Sequence, residues 1–423
     1  MRWSRSLGIV CMLLALAATP GTTRATDRYE PLKSFSQVMD LIEKTYVTDV
    51  ERKELVQGAI QGMLQSLDPH SGYLDQEAFK DMQDETSGEF SGVGIEITMQ
   101  NGRLTVVSPI EDTPAFEAGL KSGDIILEID GESTQDISIM DAVHKIRGPK
   151  GSEVELTVLH QGAAKPERIT VKRDVIPMQS VKTEVMESGY LYVRITNFNE
   201  NTTKDLREQL NRDKEALQGV VLDLRNNPGG LLDQAVSVAD LFLDRGKIVY
   251  TKGKVKQAKM DFRAKEQTSD IKVPMVVLIN SGTASASEIV AGAIQDHKRG
   301  LILGVRSFGK GSVQTVIPLP DGAGIKLTTA KYYTPNGRSI QAEGIEPDIR
   351  LAFNPIEEDE DNIFRTIRER DLTRHLESGK EQESRDDGEE GEETSIDRRL
   401  KRDNQLRLAL QLVKSLPVIK TLQ

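Results

Sequence analysis

The sequence predicts a mixed α/β (α+β) protein whose main core is preceded by a small β-rich inserted domain and flanked by helical N- and C-terminal regions. Three observations predict this fold class. Residues 189–355 alternate between strand-like and helix-like segments, as α/β domains do. Residues 87–173 contain short strands entered through glycines, with a hairpin turn at Asn101-Gly102. Residues 35–85 and 396–416 carry apolar side chains at helical spacing.

The first 25 residues have the composition of a secretory signal. Arg2 and Arg5 precede the apolar stretch LGIVCMLLALAA, and Ala25 offers a cleavage site. This stretch is too short to span a bilayer, so we expect cleavage after Ala25 and a mature chain in the periplasm or cell envelope. An uncleaved, membrane-associated anchor stays open. The only cysteine, Cys11, lies in this segment, which leaves the mature chain without a disulfide or a thiol nucleophile.

Composition divides the remaining chain into five segments. They are an N-terminal helical region (26–86), the inserted domain (87–173), the α/β core (174–355), an acidic segment (356–395) and a C-terminal helix (396–423). The acidic segment cannot bury a core and is predicted to be a disordered linker. The net charge of −11 argues against a nucleic-acid partner. No residues have metal-ligand spacing, so we expect no metal and no cofactor.

The stretch from Asn280 to Gln314 is where the chemistry is expected. An apolar strand, VPMVVLI, leads through a small-residue turn into a helix from Ala286 to His297. Ser285 therefore lies at a helix start, where unpaired backbone N–H groups and the positive end of the helix dipole can hold an oxyanion. The alternative is that Ser285, with Glu288 three residues later, only forms a capping box.

Lysine is the base available to this serine. The helix carries the chain roughly 18 Å away at 1.5 Å per residue, and the strand Leu301–Val305 returns a similar distance. Lys310, flanked by glycines that allow close approach, is therefore expected level with Ser285. Two other motifs are near matches. A Walker A loop would need a hydroxyl where Gly311 stands, and the S-x-x-K pair Ser307–Lys310 would need a helix.

The segments GTASASEIVAGAIQD and FGKGSVQ resemble the carboxyl-terminal processing proteases, also called tail-specific proteases. The resemblance runs from about Phe35 to Pro347 and implies a ClpP/crotonase-like catalytic core. It also implies a catalytic dyad of Ser285 and Lys310, with Gln314 orienting the lysine.

The same resemblance implies two oxyanion donors. One is the N–H of Ala286, directly after the serine. The other belongs to Gly229 or Gly230 in the turn NNPGG, where a glycine pair between a strand and a helix can expose N–H groups. The choice between the two glycines stays open, as does the alternative that the turn merely opens a helix.

Residues 87–173 resemble a PDZ domain. Their GVGI motif (Gly92, Val93, Gly94, Ile95) lies where such domains bind a terminal carboxylate while the peptide adds to the sheet edge. The alternative is that these glycines only allow a tight strand entry. The implied partners are protein substrates with free apolar C-termini. An adaptor protein stays open, and we expect a homodimer.

The predicted function is that of an exported serine endopeptidase, a C-terminal processing peptidase acting through a Ser285 acyl-enzyme. A lysine has a reference pKa near 10.4, so burial must lower it by roughly three units for it to act as a base at neutral pH. Two alternatives are a non-catalytic PDZ scaffold that binds protein C-termini and a crotonase-like acyl-CoA enzyme. Export disfavours the second, because CoA is an intracellular cofactor.

Overall fold

The computed structural model describes residues 29–212, 214–267, 270–354 and 394–421. The predicted signal segment and all but the last two residues of the predicted acidic linker lie outside these ranges. The described chain forms two compact units. One contains residues 29–73 with the short segment 325–327, and the other contains the rest. Within the described ranges, no helix has both the length and the apolar character needed to cross a membrane.

The first unit is a helical hairpin of α1 (Glu30–Thr45) and α2 (Arg52–Gln65). Arg52 joins the two helices, because its guanidinium donates to the carboxylates of Asp40 and Glu43 at 2.6 Å. No residue of α1 is buried. Its apolar side chains, among them Leu32 and Leu41, are therefore largely exposed. The short strand β1 (Gly72–Leu74) follows α2 in the chain.

Helix α3 (Gln76–Ser87) leads into the inserted domain. That domain contains eight strands and two short helices: β2 (Glu89–Gly92), β3 (Ile95–Gln100), β4 (Arg103–Pro109), α4 (Pro114–Glu117), β5 (Ile125–Ile129), β6 (Glu132–Ser133), α5 (Ile139–Ile146), β7 (Glu153–Leu159), β8 (Glu167–Lys172) and β9 (Asp174–Pro177). The antiparallel sheet has the order β3-β4-β5-β7-β8, with β6 beside β5. Strands β2 and β9 pair with each other, so the chain enters and leaves the domain through neighbouring strands.

The α/β core follows the inserted domain. Its elements are β10 (Val181–Glu187), β11 (Tyr190–Ile195), α6 (Thr202–Arg212), β12 (Gly219–Asp223), α7 (Leu232–Asp240), β13 (Arg245–Gly253), β14 (Asp261–Lys265), β15 (Met275–Ile279), α8 (Ala286–Asp296), β16 (Leu301–Gly304), β17 (Ser312–Pro318), β18 (Gly324–Tyr333), β19 (Ile349–Arg350), α9 (Ser395–Arg402) and α10 (Asn404–Thr421).

The central sheet of this core has the order β10-β11-β12-β15-β16-β19 and is parallel except for the β10–β11 pair. Alternate side chains of β12 point to opposite faces. Val220 and Leu222 pack with α6, α7 and α8, whereas Val221 packs with α9 and α10. The core is thus an α/β/α sandwich. A second sheet, in which β18 pairs with both β13 and β17, carries the chain that follows Lys310.

The region 396–423, expected as one helix, contains two helices that meet at Asp403. The carboxylate of Asp403 accepts from the N–H of Leu406 at 2.9 Å, which caps α10. Helix α10 then lies on the sheet through Leu406, Leu410 and Val413. The mixed α/β class, with an inserted domain and helical regions at both ends, is confirmed.

Candidate active site

Ser285 stands between β15 and α8 in a conformation that a non-glycine residue rarely adopts. Its φ is +55° and its ψ −115°. Such a conformation costs about 1–3 kcal/mol and persists only where the surroundings impose it. The N–H of Ser285 donates to Glu288 Oε2 at 2.8 Å, which is the glutamate half of the expected capping box. The hydrogen bond from the Ser285 N–H to Glu288 therefore both caps α8 and holds the candidate nucleophile in place.

Glu288 connects the segment of the serine to the segment of the lysine. Its carboxylate is fully buried. Oε1 accepts from the Ser307 hydroxyl at 2.6 Å and from the Gly309 N–H at 2.8 Å. Oε2 accepts from the Ser285 N–H and, at 2.9 Å, from the Lys310 N–H. Burial raises the pKa of Glu288, against the lowering effect of these four donors. The two backbones of the expected dyad thus meet at one oxygen atom.

Tyr332 is a second link between the same two segments, and sequence reasoning missed it. Its side chain is buried in β18, and its hydroxyl donates to the Lys310 carbonyl and lies close to the Ser285 side chain. Burial, followed by the charge of Glu288, raises the pKa of Tyr332 well above its usual value. The only signal in the sequence was the pair of tyrosines in KYYTP. Because successive side chains of a strand point to opposite faces of the sheet, Tyr333 lies on the face opposite to Tyr332, where it stacks on Tyr250.

Gln314, the residue expected to orient the lysine, lies on β17. Its amide nitrogen donates to the Ser312 hydroxyl at 2.9 Å and to the Thr328 hydroxyl at 3.4 Å. These bonds hold the side chain between β17 and β18. The contact of Gln314 with the amine of Lys310 stays a prediction.

The glycine turn after β12 meets the start of α8. A Cβ atom on Gly229 would lie 2.8 Å from Ser285 Cβ and 3.0 Å from the Ala286 nitrogen, so only glycine fits there. The Gly229 N–H is engaged, because it donates to Asn227 Oδ1 at 2.9 Å. The Gly229 carbonyl accepts from the Phe198 N–H. In a trans peptide, the Gly230 N–H must therefore point away from Phe198.

Hydrogen bonds fix this turn against the serine segment. The Asn227 carbonyl accepts from the Ala284 N–H at 2.9 Å and from the Ser287 hydroxyl at 3.1 Å. Gly229, Ser285 and Ala286 are therefore brought together as the sequence predicts.

The GVGI motif forms the end of an apolar groove. The carbonyls of Val93 and Gly94 accept from the N–H groups of Ala115 and Ile110 and so face into the domain. The N–H groups of Gly94 and Ile95, on the opposite edges of those peptide planes, face outward. Beside them lies a cavity of about 90 Å³, lined by Phe90, Gly92, Val93, Gly94, Ile95, Ile97, Val143, Ile146 and Arg147.

His297 lies at the opposite end of α8 from Ser285. It ends that helix, and its Nε2 lies 2.7 Å from the Lys247 carbonyl. Among the described residues, no group of three or more histidine, cysteine, aspartate or glutamate side chains could hold a metal ion.

Comparison with known families matches three parts of the chain. The profile of peptidase family S41 matches residues 189–351, and that of the PDZ domain matches residues 91–172. A profile described as the activating protease CtpB N-terminal domain matches residues 16–78. The fold and the site therefore belong to a peptidase with an embedded PDZ domain.

Similar individual proteins identify the family within this class of peptidases. A carboxy-terminal-processing protease of Bartonella bacilliformis is 45% identical over 383 residues, which cover 89% of this chain and 87% of that protein. The carboxy-terminal processing protease CtpA of Bacillus subtilis is 37% identical over 317 residues, covering 74% and 68%. A solved structure of the photosystem II D1 C-terminal processing protease is 32% identical and covers 76% of this chain and 93% of that one, with a TM-score of 0.45. The chain belongs to the carboxyl-terminal processing protease family, as its motifs predicted.

Proposed function

We propose that this peptidase is an exported serine endopeptidase that binds unstructured protein C-termini through its PDZ domain and cleaves them with a Ser285–Lys310 dyad. One observation carries the proposal. Glu288 Oε2 accepts from the N–H groups of both Ser285 and Lys310, at 2.8 and 2.9 Å, so the two residues are held beside each other. A serine nucleophile with a lysine base next to it suits acyl transfer.

In the proposed reaction, the neutral amine of Lys310 takes the proton of the Ser285 hydroxyl as Oγ attacks the scissile carbonyl. The resulting oxyanion accepts from the N–H groups of Ala286 and Gly230. Gly230 is favoured over Gly229, because the Gly229 N–H is already bonded to Asn227. Lys310 then protonates the leaving amine, and the acyl-enzyme is hydrolysed by water with Lys310 again as the base.

The neutral side chain of Gln314 suits this mechanism. A carboxylate in its place would favour the ammonium form of Lys310 and so weaken the base. An amide can hold the amine in position without adding charge. The dyad therefore needs an uncharged orienting residue, and Gln314 is the one that we assign.

Substrate recognition is assigned to the groove beside the GVGI motif. The outward N–H groups of Gly94 and Ile95 suit a terminal carboxylate, and the cavity of about 90 Å³ suits one small apolar side chain. Edge strand β3 would pair with the incoming peptide. The expected substrate is thus an unfolded chain with a small apolar residue at its free C-terminus.

The peptide pair that tests this function differs only at its terminus. The wild-type protein should cut a peptide ending in a free apolar residue faster than its C-terminally amidated twin, because amidation removes the charge that the N–H groups bind. Product formation by mass spectrometry measures both rates, with Ser285→Ala as the inactive control. Equal rates would remove the carboxylate assignment. Cleavage by Ser285→Ala would contradict the assignment of Ser285 as the nucleophile. A wild-type protein that binds both peptides without cutting either would favour the scaffold alternative.

Export is proposed from the N-terminal composition alone. The mature protein is expected to begin near Thr26, since Ala25 offers the cleavage site. N-terminal sequencing of the protein purified from its natural envelope fraction checks this. Recovery of Met1 would contradict cleavage. The homodimer and the adaptor stay predictions.

A further inference from the structure

Arg225, the residue directly before the glycine turn, has a buried side chain that is paired with Asp223 at the end of its own strand. The side chain is only 9% exposed. Its Nε and Nη2 donate to Oδ1 and Oδ2 of Asp223 at 2.9 and 2.7 Å, and its backbone N–H donates to Oδ1 at 2.9 Å. Asp223 is itself fully buried and also accepts from the Tyr192 hydroxyl at 2.8 Å.

The remaining acceptors of Arg225 come from the corner between α9 and α10. Nη2 donates to Asp403 Oδ2 at 2.7 Å, and Nη1 donates to Gln405 Oε1 at 2.8 Å. Both acceptors are buried and held in place by other bonds. Asp403 caps α10, and Gln405 donates to the Leu351 carbonyl at 2.7 Å. Burial alone would lower the pKa of Arg225, but the bonds to Asp223 and Asp403 raise it, so the guanidinium stays charged.

The backbone on both sides of Arg225 contacts the serine segment. The Leu224 carbonyl accepts from the Thr283 hydroxyl at 2.8 Å, and the Asn226 N–H donates to Asn280 Oδ1 at 2.9 Å. Asn226 has a φ of +55°, an unfavourable conformation that its neighbours must impose. A displacement of Arg225 would therefore move the turn that carries Gly229 and Gly230.

We infer that the corner between α9 and α10 fixes the position of the glycine turn through Arg225. Arg225, Asp403 and Gln405 are then positioning residues for the peptidase reaction. A buried guanidinium whose acceptors are missing is costly, so without the corner Arg225 would turn towards water and draw the turn with it. The inference rests on the proposed function of the turn. It also extends the catalytic unit beyond the S41 match, which ends at residue 351.

The variant Asp403→Asn tests the inference in the full-length protein. Asparagine keeps the Oδ1 atom that caps α10 but directs an amide N–H at the donors of Arg225. Because a misplaced oxyanion donor weakens the transition state more than the bound substrate, kcat should fall about 10- to 100-fold while KM changes less than about twofold. The inhibition constant of a peptide boronate, whose tetrahedral adduct uses the oxyanion donors, should rise by the same factor. Binding of a C-terminal peptide to the PDZ groove should not change.

The matched control is Glu187→Gln. It removes the ion pair of Glu187 with Lys414, which also joins α10 to the sheet but lies away from Arg225. We expect wild-type kcat and boronate inhibition. Should Asp403→Asn fail to fold, Gln405→Leu removes the acceptor of Nη1, together with the donor to the Leu351 carbonyl, and should shift kcat and boronate inhibition in the same direction.

Two outcomes would overturn the inference. One is wild-type kcat in both corner variants, and the other is a lower kcat with unchanged boronate inhibition, which indicates a smaller folded fraction. Neither bears on the proposed function, whose own failure would appear as an active Ser285→Ala. An inactive Ser285→Ala beside fully active Asp403→Asn and Gln405→Leu would therefore refute the inference and leave the proposed function standing.

Discussion

Lys310→Arg is expected to be as inactive as Ser285→Ala. Arginine keeps the positive charge and roughly the reach of lysine, but it cannot lose its proton in a protein and so cannot act as a base. The loss should be on the order of 10⁴-fold or more in kcat, as for groups that act as one catalytic unit. Adding Ser285→Ala to Lys310→Arg should cost little more. Cleavage of a free-terminus peptide measures these rates, and circular dichroism verifies that the variants fold.

Lys331→Arg is the matched control, since Lys331 is an exposed lysine on β18. It should retain wild-type kcat. In the wild type, the rate should rise with pH as the lysine loses its proton and then level off. A largely active Lys310→Arg would contradict the base assignment and would make Lys310 an electrostatic clamp instead.

Glu288→Gln is expected to lower both activity and thermal stability. All four partners of the carboxylate are donors, so in either orientation the amide nitrogen of glutamine would face two of them. Each donor left without an acceptor costs about 1–3 kcal/mol when buried. The segments of Ser285 and Lys310 would then separate, and a misplacement of about 1 Å can cost on the order of 10²-fold in kcat.

Melting temperature and kcat are measured together for this variant. Glu343→Gln, an exposed glutamate beyond β18, is the control and should match the wild type in both. A Glu288→Gln variant that melts earlier yet keeps wild-type kcat would mean that the carboxylate supports the helix start but does not place the dyad.

Sequence reasoning could predict the meeting of Ser285 and Lys310 because that geometry is local. Helix α8 and strand β16, which lie between them, carry the chain away from Ser285 and back over similar distances. Their predicted C-terminal ends each differ from the observed ones by a single residue. The mixed α/β class followed from equally local alternation of apolar residues. Glu288 was visible only as a capping residue, because three of its four donors come from residues beyond β16.

Tyr332 and the Arg225 contacts could not be predicted. Tyr332 reaches Lys310 across 22 residues, and Arg225 reaches Asp403 across 178, without any local periodicity that would indicate the contact. Asp403 was hidden inside a helical pattern that continues on both sides of it. The choice between Gly229 and Gly230 required the directions of individual N–H groups, which composition and spacing do not contain.

The distance along the chain between Arg225 and its acceptors has a consequence for biosynthesis. Chains are made from the N-terminus, so Asp403 reaches Arg225 only after the 177 residues between them have been synthesised. Contacts that close such long loops form late in folding. If Arg225 acts as inferred, the enzyme acquires its activity at the last stage of its own folding. A partly folded nascent chain would then be unable to cleave itself or other unfolded proteins.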